Sequence, residues 1–472
     1  MPSHDKINEY AVSVCQQIRW KKARQRVSEE IANHATDGRN DYMKQGLDEQ
    51  SATEKAIADM GDAVTIGTQL DRIHRPKPQW SMFLWVAGFL LLGVLLSQII
   101  FPEMEVTYSS FYTRLIWLAI GTAFMFAAYF VDFTILGKYP WQIFIPVAFF
   151  AIIAHYSIPS YARWIVIPYL GAVEFRNISL IFPVILVPVI YTARNKGYRG
   201  LAISLFAYAF LCFVAAKSLT IGLSAFAHFM PVGLALIIFA VMRGWFGVSK
   251  LRGALMVVVP HVAVFALWLW RVASNGGSFA FHRMIAIIDP YSDASGRGFL
   301  PIQARRLLNN AVLLGEGTPD NWDRFWPMRD MQQMLYSDYL LTTVIYRFGW
   351  LVFAAIICAL IFFISKAAMR CFKQKSGLGF FVSIAIIMTF SMQVLTYVIF
   401  NLGFGITIIS LPLISPGNAA IVVNMVLIGF MLSVFRTGDV VVDKKKVSSV
   451  RQNDFLSWDN GKLTINFKVK AE

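Results

Sequence analysis

The chain has 472 residues, of which 57% are hydrophobic and only 15% are charged, and its formal net charge is +15. Soluble globular proteins carry about 25% charged residues, so this composition excludes an ordinary soluble enzyme and indicates a polytopic membrane protein. The positive charge does not indicate a nucleic-acid-binding protein, because the bases lie between apolar segments instead of forming one patch.

Residues 1–78 are polar and predict a small cytoplasmic helical domain. Helical periodicity runs through 5–36, and Ser51-Ala52-Thr53-Glu54 has the spacing of a capping box that opens a second helix. Gly61-Asp62 predicts a break before a third helix over 62–74. The stretch 46–75 resembles the helical prefix domain found ahead of some bacterial permeases, which implies regulation or docking; a plain solubilising extension is the alternative.

Residues 79–437 contain repeated apolar windows of about 20 residues, the length that crosses a bilayer. The sequence therefore predicts an all-α polytopic membrane protein with about ten transmembrane helices. These spans are expected near 80–101, 112–136, 140–158, 177–192, 200–218, 222–243, 252–272, 340–365, 378–400 and 415–435.

Charge distribution predicts the orientation of these spans. If the N-terminus is cytoplasmic, the first outer loop has Glu103 and Glu105 and no base, and the inner loops receive most of the bases. These bases are Lys138, Arg194, Lys196, Arg199, Arg243, Lys250, Arg252, Lys366, Arg370, Lys373 and Lys375. Both termini are then cytoplasmic, the loop 273–338 between spans 7 and 8 is extracellular, and the bases contact anionic lipid head groups.

Residues 438–472 predict a cytoplasmic tail. Asn460-Gly461 is followed by Leu463 and Ile465 in alternation with polar residues, a pattern typical of a small β-hairpin. No disulfide is expected, because none of the four cysteines lies in the predicted extracellular loop. The scattered histidines and cysteines show no metal-ligand spacing.

The loop 273–338 concentrates charged residues in an otherwise apolar region. In it, Asp293 precedes Gly296 and Gly298, and glycines permit a tight turn that would hold a carboxylate in place. Pro301 then suits the first turn of a helix carrying Arg305 and Arg306. A carboxylate so held is a candidate catalytic group, and the alternative is a solvated loop with ordinary turn residues.

The loop resembles that of the SEDS family (shape, elongation, division and sporulation), the RodA and FtsW type of peptidoglycan glycosyltransferase. The family pattern D-P-x-x-D-x-x-G-x-G-[YF], with a glutamine shortly after, is matched by Asp289, Pro290, Asp293, Gly296, Gly298, Phe299 and Gln303. Other motifs are similar to those of the family: Ala162-Arg163-Trp164-Ile165, Gly315-Glu316-Gly317, Tyr336-Ser337-Asp338-Tyr339, Phe348-Gly349, Asn401 with Gly403, and Leu411-Pro412-Leu413-Ile414-Ser415-Pro416-Gly417.

The sequence also departs from the family at three places. Phe175-Arg176-Asn177-Ile178 occurs where Q-P-S-E is expected, and Phe229-Met230-Pro231-Val232-Gly233 replaces Q-P-D-L-G. Tyr346-Arg347 replaces a pair of glutamates. The resemblance therefore implies a divergent member.

The resemblance implies a peptidoglycan glycosyltransferase that polymerises lipid II at the outer face of the bacterial plasma membrane, with Asp293 as general base. The implied substrate-binding residues are Arg163, Trp164, Arg283, Arg297, Gln303, Arg305 and Arg306, with Arg283 the favoured phosphate ligand. Interfacial anchoring is the alternative role for Arg163 and Trp164. The implied structural residues are Gly296 and Gly298 in the turn, Asp338 as a helix cap, and Pro412, Ser415 and Gly417 in a broken helix.

A divalent cation, Mg²⁺ or Mn²⁺, is expected to assist the pyrophosphate, although the sequence contains no cofactor motif. The implied partner is a class B penicillin-binding protein with transpeptidase activity, and no nucleic acid is expected. Two alternatives remain: a non-catalytic scaffold of a cell-wall synthesis complex, and a flippase or transporter of the lipid-linked precursor. A transporter would be expected to place charged groups near the middle of the membrane.

Overall fold

The computed structural model describes residues 3–76, 78–100, 111–157, 164–167, 171–215, 222–274, 285–286, 289–296, 298–318, 338–404, 410–415, 418–438, 456–459 and 462–465. Helices dominate these ranges. They are α1 Ser3–Gln16, α2 Lys21–Lys44, α3 Glu49–Met60, α4 Ala63–His74, α5 Trp80–Ile100, α6 Phe111–Phe130, α7 Thr134–Lys138, α8 Pro140–Ser157, α9 Phe182–Thr192, α10 Gly197–Ala215, α11 Gly222–Met242, α12 Lys250–Ser274, α13 Phe299–Asn309, α14 Leu340–Phe348, α15 Trp350–Phe372, α16 Gly377–Asn401 and α17 Asn418–Thr437.

The N-terminal region folds as four helices, one more than the sequence predicts. The expected helix over 5–36 is divided, because Trp20 adopts an extended conformation and occupies the N-cap position of α2. The predicted capping box is also wrong: Asp48 is the N-cap of α3, and its carboxylate accepts a hydrogen bond from the Ser51 N–H at 3.1 Å. Asp62 caps α4 in the same way through the Thr65 N–H.

The break between α1 and α2 allows the two helices to pack together. Ile18 in the connection is fully buried in a small apolar core with Val14 and Val27. Asp71 of α4 accepts a hydrogen bond from the Arg19 N–H at 2.8 Å, which fixes the connection against the last helix. Burial of this apolar face therefore outweighs the local preference for one long helix.

The membrane region is built from apolar helices, as the sequence predicts. Among the described residues, six helices are long and apolar enough to cross a membrane: 80–100, 197–214, 250–271, 350–372, 377–401 and 420–437. Shorter apolar helices cover 114–130, 140–150, 177–192 and 228–242. α6 and α17 pack closely along their length. At Gly429 of α17, a Cβ would overlap the Met125 carbonyl, which illustrates how small residues let membrane helices approach.

The span predicted over 340–365 is divided into α14 and α15 at Gly349. Gly349 has φ 90°, a conformation that L side chains rarely adopt, and a Cβ there would lie 2.6 Å from Leu314 Cα. Hydropathy does not detect this break because Arg347 is the only charged residue in 340–365 and most residues on both sides of Gly349 are apolar.

Two antiparallel hairpins complete the described structure. β1 Trp164–Ile167 pairs with β2 Gly171–Glu174, and Phe175–Ile181 follows as a 3-10 segment. β3 Leu456–Asp459 pairs with β4 Lys462–Ile465 on either side of Asn460-Gly461, where the sequence predicts a hairpin.

Candidate active site around Asp293

Asp293 ends a short 3-10 turn, Pro290–Asp293, that begins at Asp289. The Asp289 carboxylate accepts a hydrogen bond from the Tyr291 N–H at 3.0 Å, and the Asp289 carbonyl accepts one from the Ser292 hydroxyl at 2.6 Å. Asp289 therefore caps the turn. Asp293 lies at the other end of the turn, four residues later, and is partly exposed.

The two glycines of the motif bind the backbone of Asp293. The N–H groups of Gly296 and Gly298 both donate to the Asp293 carbonyl, at 3.1 and 2.9 Å. A Cβ at Gly296 would lie 2.6 Å from Asp293 Oδ2, and a Cβ at Gly298 would overlap the Pro290 carbonyl. Close approach to backbone thus requires glycine at 298, whereas a Cβ at 296 would displace the Asp293 carboxylate. The two glycine N–H groups together fix the backbone that carries this carboxylate.

The helix α13 begins directly after this turn, with Gly298 as its N-cap. The Gly298 carbonyl accepts from the Ile302 N–H at 2.9 Å, so the turn and the helix are continuous. Gln303 is 4% exposed, and its Oε1 has no hydrogen-bond partner within the described residues. A buried acceptor in this state costs free energy unless a ligand or solvent donates to it.

Arg305 joins α13 to the end of α16. Its Nε donates to the Gly403 carbonyl at 3.0 Å, and its Cζ lies 5.2 Å from the Phe404 ring centroid. Gly403 has φ +83°, and a Cβ there would lie 2.5 Å from Arg305 Cγ. Arg305 thus has a structural contact that the sequence does not predict, while Arg306 is half-buried on the same helix.

Asn401 holds the start of α14, the role that the sequence assigns to Asp338. The cap position of α14 is Tyr339, which makes no side-chain cap bond, so the prediction for Asp338 is wrong. Instead, Asn401 Oδ1 accepts from the Thr342 N–H at 3.0 Å. Its Nδ2 donates to the Asp338 and Tyr397 carbonyls, at 3.1 and 2.9 Å. The cap is supplied across space because Asn401 is fully buried beside this helix end.

The glycine-rich turn at 315–317 fits into the break between α14 and α15. The Gly315 N–H donates to the Phe348 carbonyl at 3.1 Å, and the Gly317 N–H donates to the Tyr346 carbonyl at 2.7 Å. In return, the Trp350 N–H donates to the Val312 carbonyl at 3.2 Å. The Gly315-Glu316-Gly317 and Phe348-Gly349 motifs therefore form one connected structure.

The substituted pair Tyr346-Arg347 lies at the same break. Tyr346 is 4% exposed and packs with α13. Arg347 Nη1 donates to the Ile99 carbonyl, near the end of α5, at 3.5 Å. Arg347 thus replaces a glutamate of the family pattern, and its guanidinium contacts the end of α5.

Pro412 and Ser415 lie in a buried irregular turn that precedes α17. Leu413 has φ 64°, and the Ser415 N–H donates to the Leu411 carbonyl at 3.2 Å. Gly93 of α5 packs against this turn, since a Cβ there would lie 2.5 Å from the Ile414 carbonyl. Within the described residues, the helix of the predicted span at 415–435 covers Asn418–Thr437.

Several predicted site residues cannot be located against Asp293. Trp164 is described only through its backbone, which pairs with Glu174 in the first hairpin. The remaining predicted residues lie outside the described residues: Arg163, Arg283, Arg297 and Gly417. The structure therefore brings together the Asp293 turn, Gln303, Arg305 and Arg306 on one continuous segment, and joins that segment to Asp338 through Asn401.

Solved structures share this fold at low sequence identity. A chain from a peptidoglycan synthase complex that coordinates polymerization and crosslinking has a TM-score of 0.56 and 13% identity, covering 76% of this chain and 98% of that one. The rod shape determining protein RodA of Thermus thermophilus has a TM-score of 0.53 and 12% identity, covering 76% and 97%. An Asp-to-Ala variant of that RodA gives 0.51 and 11%, covering 76% and 98%.

The sequence comparisons give one family. No curated protein matches the chain at a significant level. Residues 79–439, which include the Asp293 turn, α13 and the Asn401 contacts, match the cell cycle protein family of FtsW, RodA and SpoVE. The chain is therefore a multi-pass membrane protein of the FtsW/RodA/SpoVE family.

Proposed function

We propose that the protein is a peptidoglycan glycosyltransferase that polymerises lipid II into glycan strands at the outer face of the plasma membrane. The observation that carries this proposal is the Asp293 turn, in which Gly296 and Gly298 both donate to the Asp293 carbonyl. Such a turn presents a partly exposed carboxylate from a fixed backbone, which is what a general base requires.

In the proposed step, a sugar hydroxyl of one lipid-linked chain attacks the anomeric carbon of another. The new C–O bond forms as the bond to the lipid pyrophosphate breaks, and the hydroxyl proton passes to Asp293. The leaving pyrophosphate is stabilised by positive charge. Arg306 is the described candidate on α13, and Arg283 and Arg297 are candidates from the sequence. Arg305 contributes its charge while its Nε remains bound to Gly403.

A divalent cation is part of the proposal. No group of three or more His, Cys, Asp or Glu side chains that could hold a metal ion lies within the described residues. Mg²⁺ is commonly bound through substrate phosphates and waters with few protein ligands, so the pyrophosphate oxygens would supply most of its ligands and Asp293 would remain the base. When bound, the cation would neutralise charge on the pyrophosphate.

We propose a class B penicillin-binding protein as partner, because a structurally similar chain belongs to a synthase complex that couples polymerization with crosslinking. The observation that favours the alternative, a non-catalytic scaffold, is Arg347, which replaces a glutamate of the family pattern.

The test is polymerisation of lipid II by the purified full-length protein, with and without divalent cation and a class B penicillin-binding protein. Glycan strands should form with the wild-type chain and be lost in Asp293→Ala that remains folded. Absence of strands under every condition, together with stable partner binding, would establish the scaffold instead. Translocation of lipid II across reconstituted vesicles without strand formation would establish the transporter.

A further inference from the structure

Three turns of the membrane domain meet at the end opposite to the Asp293 turn. They are 193–197 between α9 and α10, 243–249 between α11 and α12, and 373–376 between α15 and α16; we name them the three-turn face. The first two are joined by backbone hydrogen bonds, from the Asn195 N–H to the Trp245 carbonyl at 2.8 Å and from the Gly197 N–H to the Phe246 carbonyl at 3.0 Å.

Aromatic rings connect the third turn to the other two. The Trp245 ring stacks on Phe381 near the start of α16, with centroids 3.9 Å apart. Phe239 stacks on the adjacent Phe380 at 5.5 Å. Phe380 and Phe381 are buried, so the three turns share one buried aromatic base.

The guanidinium groups of Arg194 and Arg243 pack against aromatic rings at this face. Arg194 Cζ is 3.5 Å from the Tyr191 centroid and 5.2 Å from that of Trp245, and the Arg194 Nε donates to the Tyr191 carbonyl at 3.0 Å. Arg243 Cζ is 3.9 Å from the Phe380 centroid and 5.2 Å from that of Phe239. Contact with a ring face fixes the orientation of a guanidinium, and the planar N–H groups of an oriented guanidinium suit phosphate oxygens.

No acidic residue belongs to the three turns or to the helices that they connect. The sequence contains no Asp or Glu from 175 to 288, or from 339 to 438. Lys196, Lys250, Lys373 and Lys375 add exposed positive charge to the three turns. The carboxylate of Asp132, in the neighbouring turn after α6, accepts from the Thr134 N–H at 3.0 Å.

The three-turn face lies at one boundary of the membrane. α12 begins there at Lys250 and extends for 25 residues to Ser274, about 37 Å at the rise of an α-helix. α16 also begins there and ends at Asn401, beside the helix that follows Asp293. Since α12 and α16 cross the hydrocarbon, the three turns lie at the level of lipid phosphates.

We infer that the three-turn face is a binding site for the head group of an anionic phospholipid. The phosphate oxygens accept hydrogen bonds from the guanidinium groups of Arg194 and Arg243, and the surrounding lysines add attraction to the anionic surface. The site lies at the other end of the molecule from the proposed catalytic turn and does not depend on glycosyltransferase activity.

The experiment is native mass spectrometry of the delipidated, full-length protein, titrated with phosphatidylglycerol, phosphatidylcholine or inorganic phosphate. The variants are Arg194→Gln and Arg243→Gln, with Arg271→Gln as the matched control, because Arg271 is an exposed base in the last turn of the same helix that begins at Lys250. We expect each face variant to weaken phosphatidylglycerol binding about tenfold, the loss of one hydrogen bond between charged groups. Arg271→Gln should bind like the wild type.

Unchanged phosphatidylglycerol binding in both face variants would overturn the inference, as would an equal loss in Arg271→Gln or equal binding of phosphatidylcholine. Displacement of phosphatidylglycerol by millimolar inorganic phosphate would overturn the lipid assignment. If Arg194→Gln or Arg243→Gln fails to fold, the double variant Lys373→Gln with Lys375→Gln decides at exposed positions: weaker phosphatidylglycerol binding supports the site and unchanged binding refutes it.

Discussion

At the scale of single residues, Asp293 is held through its own carbonyl, which receives both motif glycine N–H groups. The spacing of the glycines follows from this geometry. Gly296 lies under the Asp293 carboxylate, and Gly298 passes close to the Pro290 carbonyl before α13 begins. The motif is therefore a backbone arrangement as much as a set of side chains.

Replacing Gly298 by Ala should displace the turn, because the added Cβ would overlap the Pro290 carbonyl. Overpacking of this kind costs about 1–3 kcal/mol. We expect a lower thermal midpoint and a marked loss of polymerisation. Gly88→Ala is the control, since a Cβ at Gly88 in α5 meets nothing within 4 Å. Equal behaviour of the two variants would contradict the packing argument.

Some residue roles could be predicted from the sequence and others could not. Asp293, Gly296 and Gly298 lie within ten residues, so the turn could be predicted from their spacing. The cap of α14 could not be predicted, because Asn401 reaches Thr342 across 59 positions and replaces the expected Asp338. The Arg305 contact with Gly403 could not be predicted either, because it joins residues 98 positions apart.

At the scale of elements, Asn401 joins α14 and α16 through hydrogen bonds to Thr342, Asp338 and Tyr397. Thr342 Oγ1 also donates to the Asn401 carbonyl at 2.6 Å. The loop helix α13 is attached next to this junction by Arg305. The element that follows the Asp293 turn is thus fixed against two membrane helices.

Asn401→Ala should remove the cap and leave buried polar groups unpaired, at a cost of about 2–4 kcal/mol. Thermal unfolding of the purified protein should show a clear decrease in midpoint. Asn309→Ala, at an exposed position near the end of α13, should leave the midpoint almost unchanged. A midpoint for Asn401→Ala equal to that of Asn309→Ala would refute the capping role.

The N-terminal helices should respond to acid through their caps. Hydrogen bonds from Ser51 hold the pKa of Asp48 below its usual 3.8, and those from Thr65 do the same for Asp62. A lowered folded-state pKa gives stability that is present above the unfolded pKa and is lost as the pH falls through 3.8 towards the folded value.

Amide exchange of α4 should therefore accelerate, after correction for intrinsic rates, between about pH 6 and about pH 3. In Asp62→Asn the amide keeps an acceptor but does not titrate, so the acceleration should be smaller. An identical pH response in the variant would show that the cap does not control the stability of α4.

At the scale of the whole molecule, hydropathy was sufficient to predict an all-α membrane fold, because long apolar helices leave a strong signal. It did not predict the break at Gly349, since most residues on both sides of that glycine are apolar. The additional break at Trp20 arises from tertiary packing in the N-terminal core.

The orientation of the chain remains a prediction from its charges. In intact cells, with the four native cysteines replaced by serine, an impermeant maleimide should label Leu314→Cys and not Lys375→Cys. Both positions are exposed, and they lie at opposite ends of the membrane domain. The reverse labelling pattern would place Asp293 on the cytoplasmic side and contradict the proposed reaction.

The most direct test of the proposed role of Asp293 compares two carboxylates of one turn. Asp293→Asn should reduce the rate of glycan-strand formation from lipid II by about 10² to 10⁴, the usual contribution of a general base. Asp289→Asn removes the same charge four residues away but keeps an acceptor for the Tyr291 N–H, so its rate should stay near the wild-type value. Wild-type rates in Asp293→Asn, or equal losses in both variants, would contradict the account.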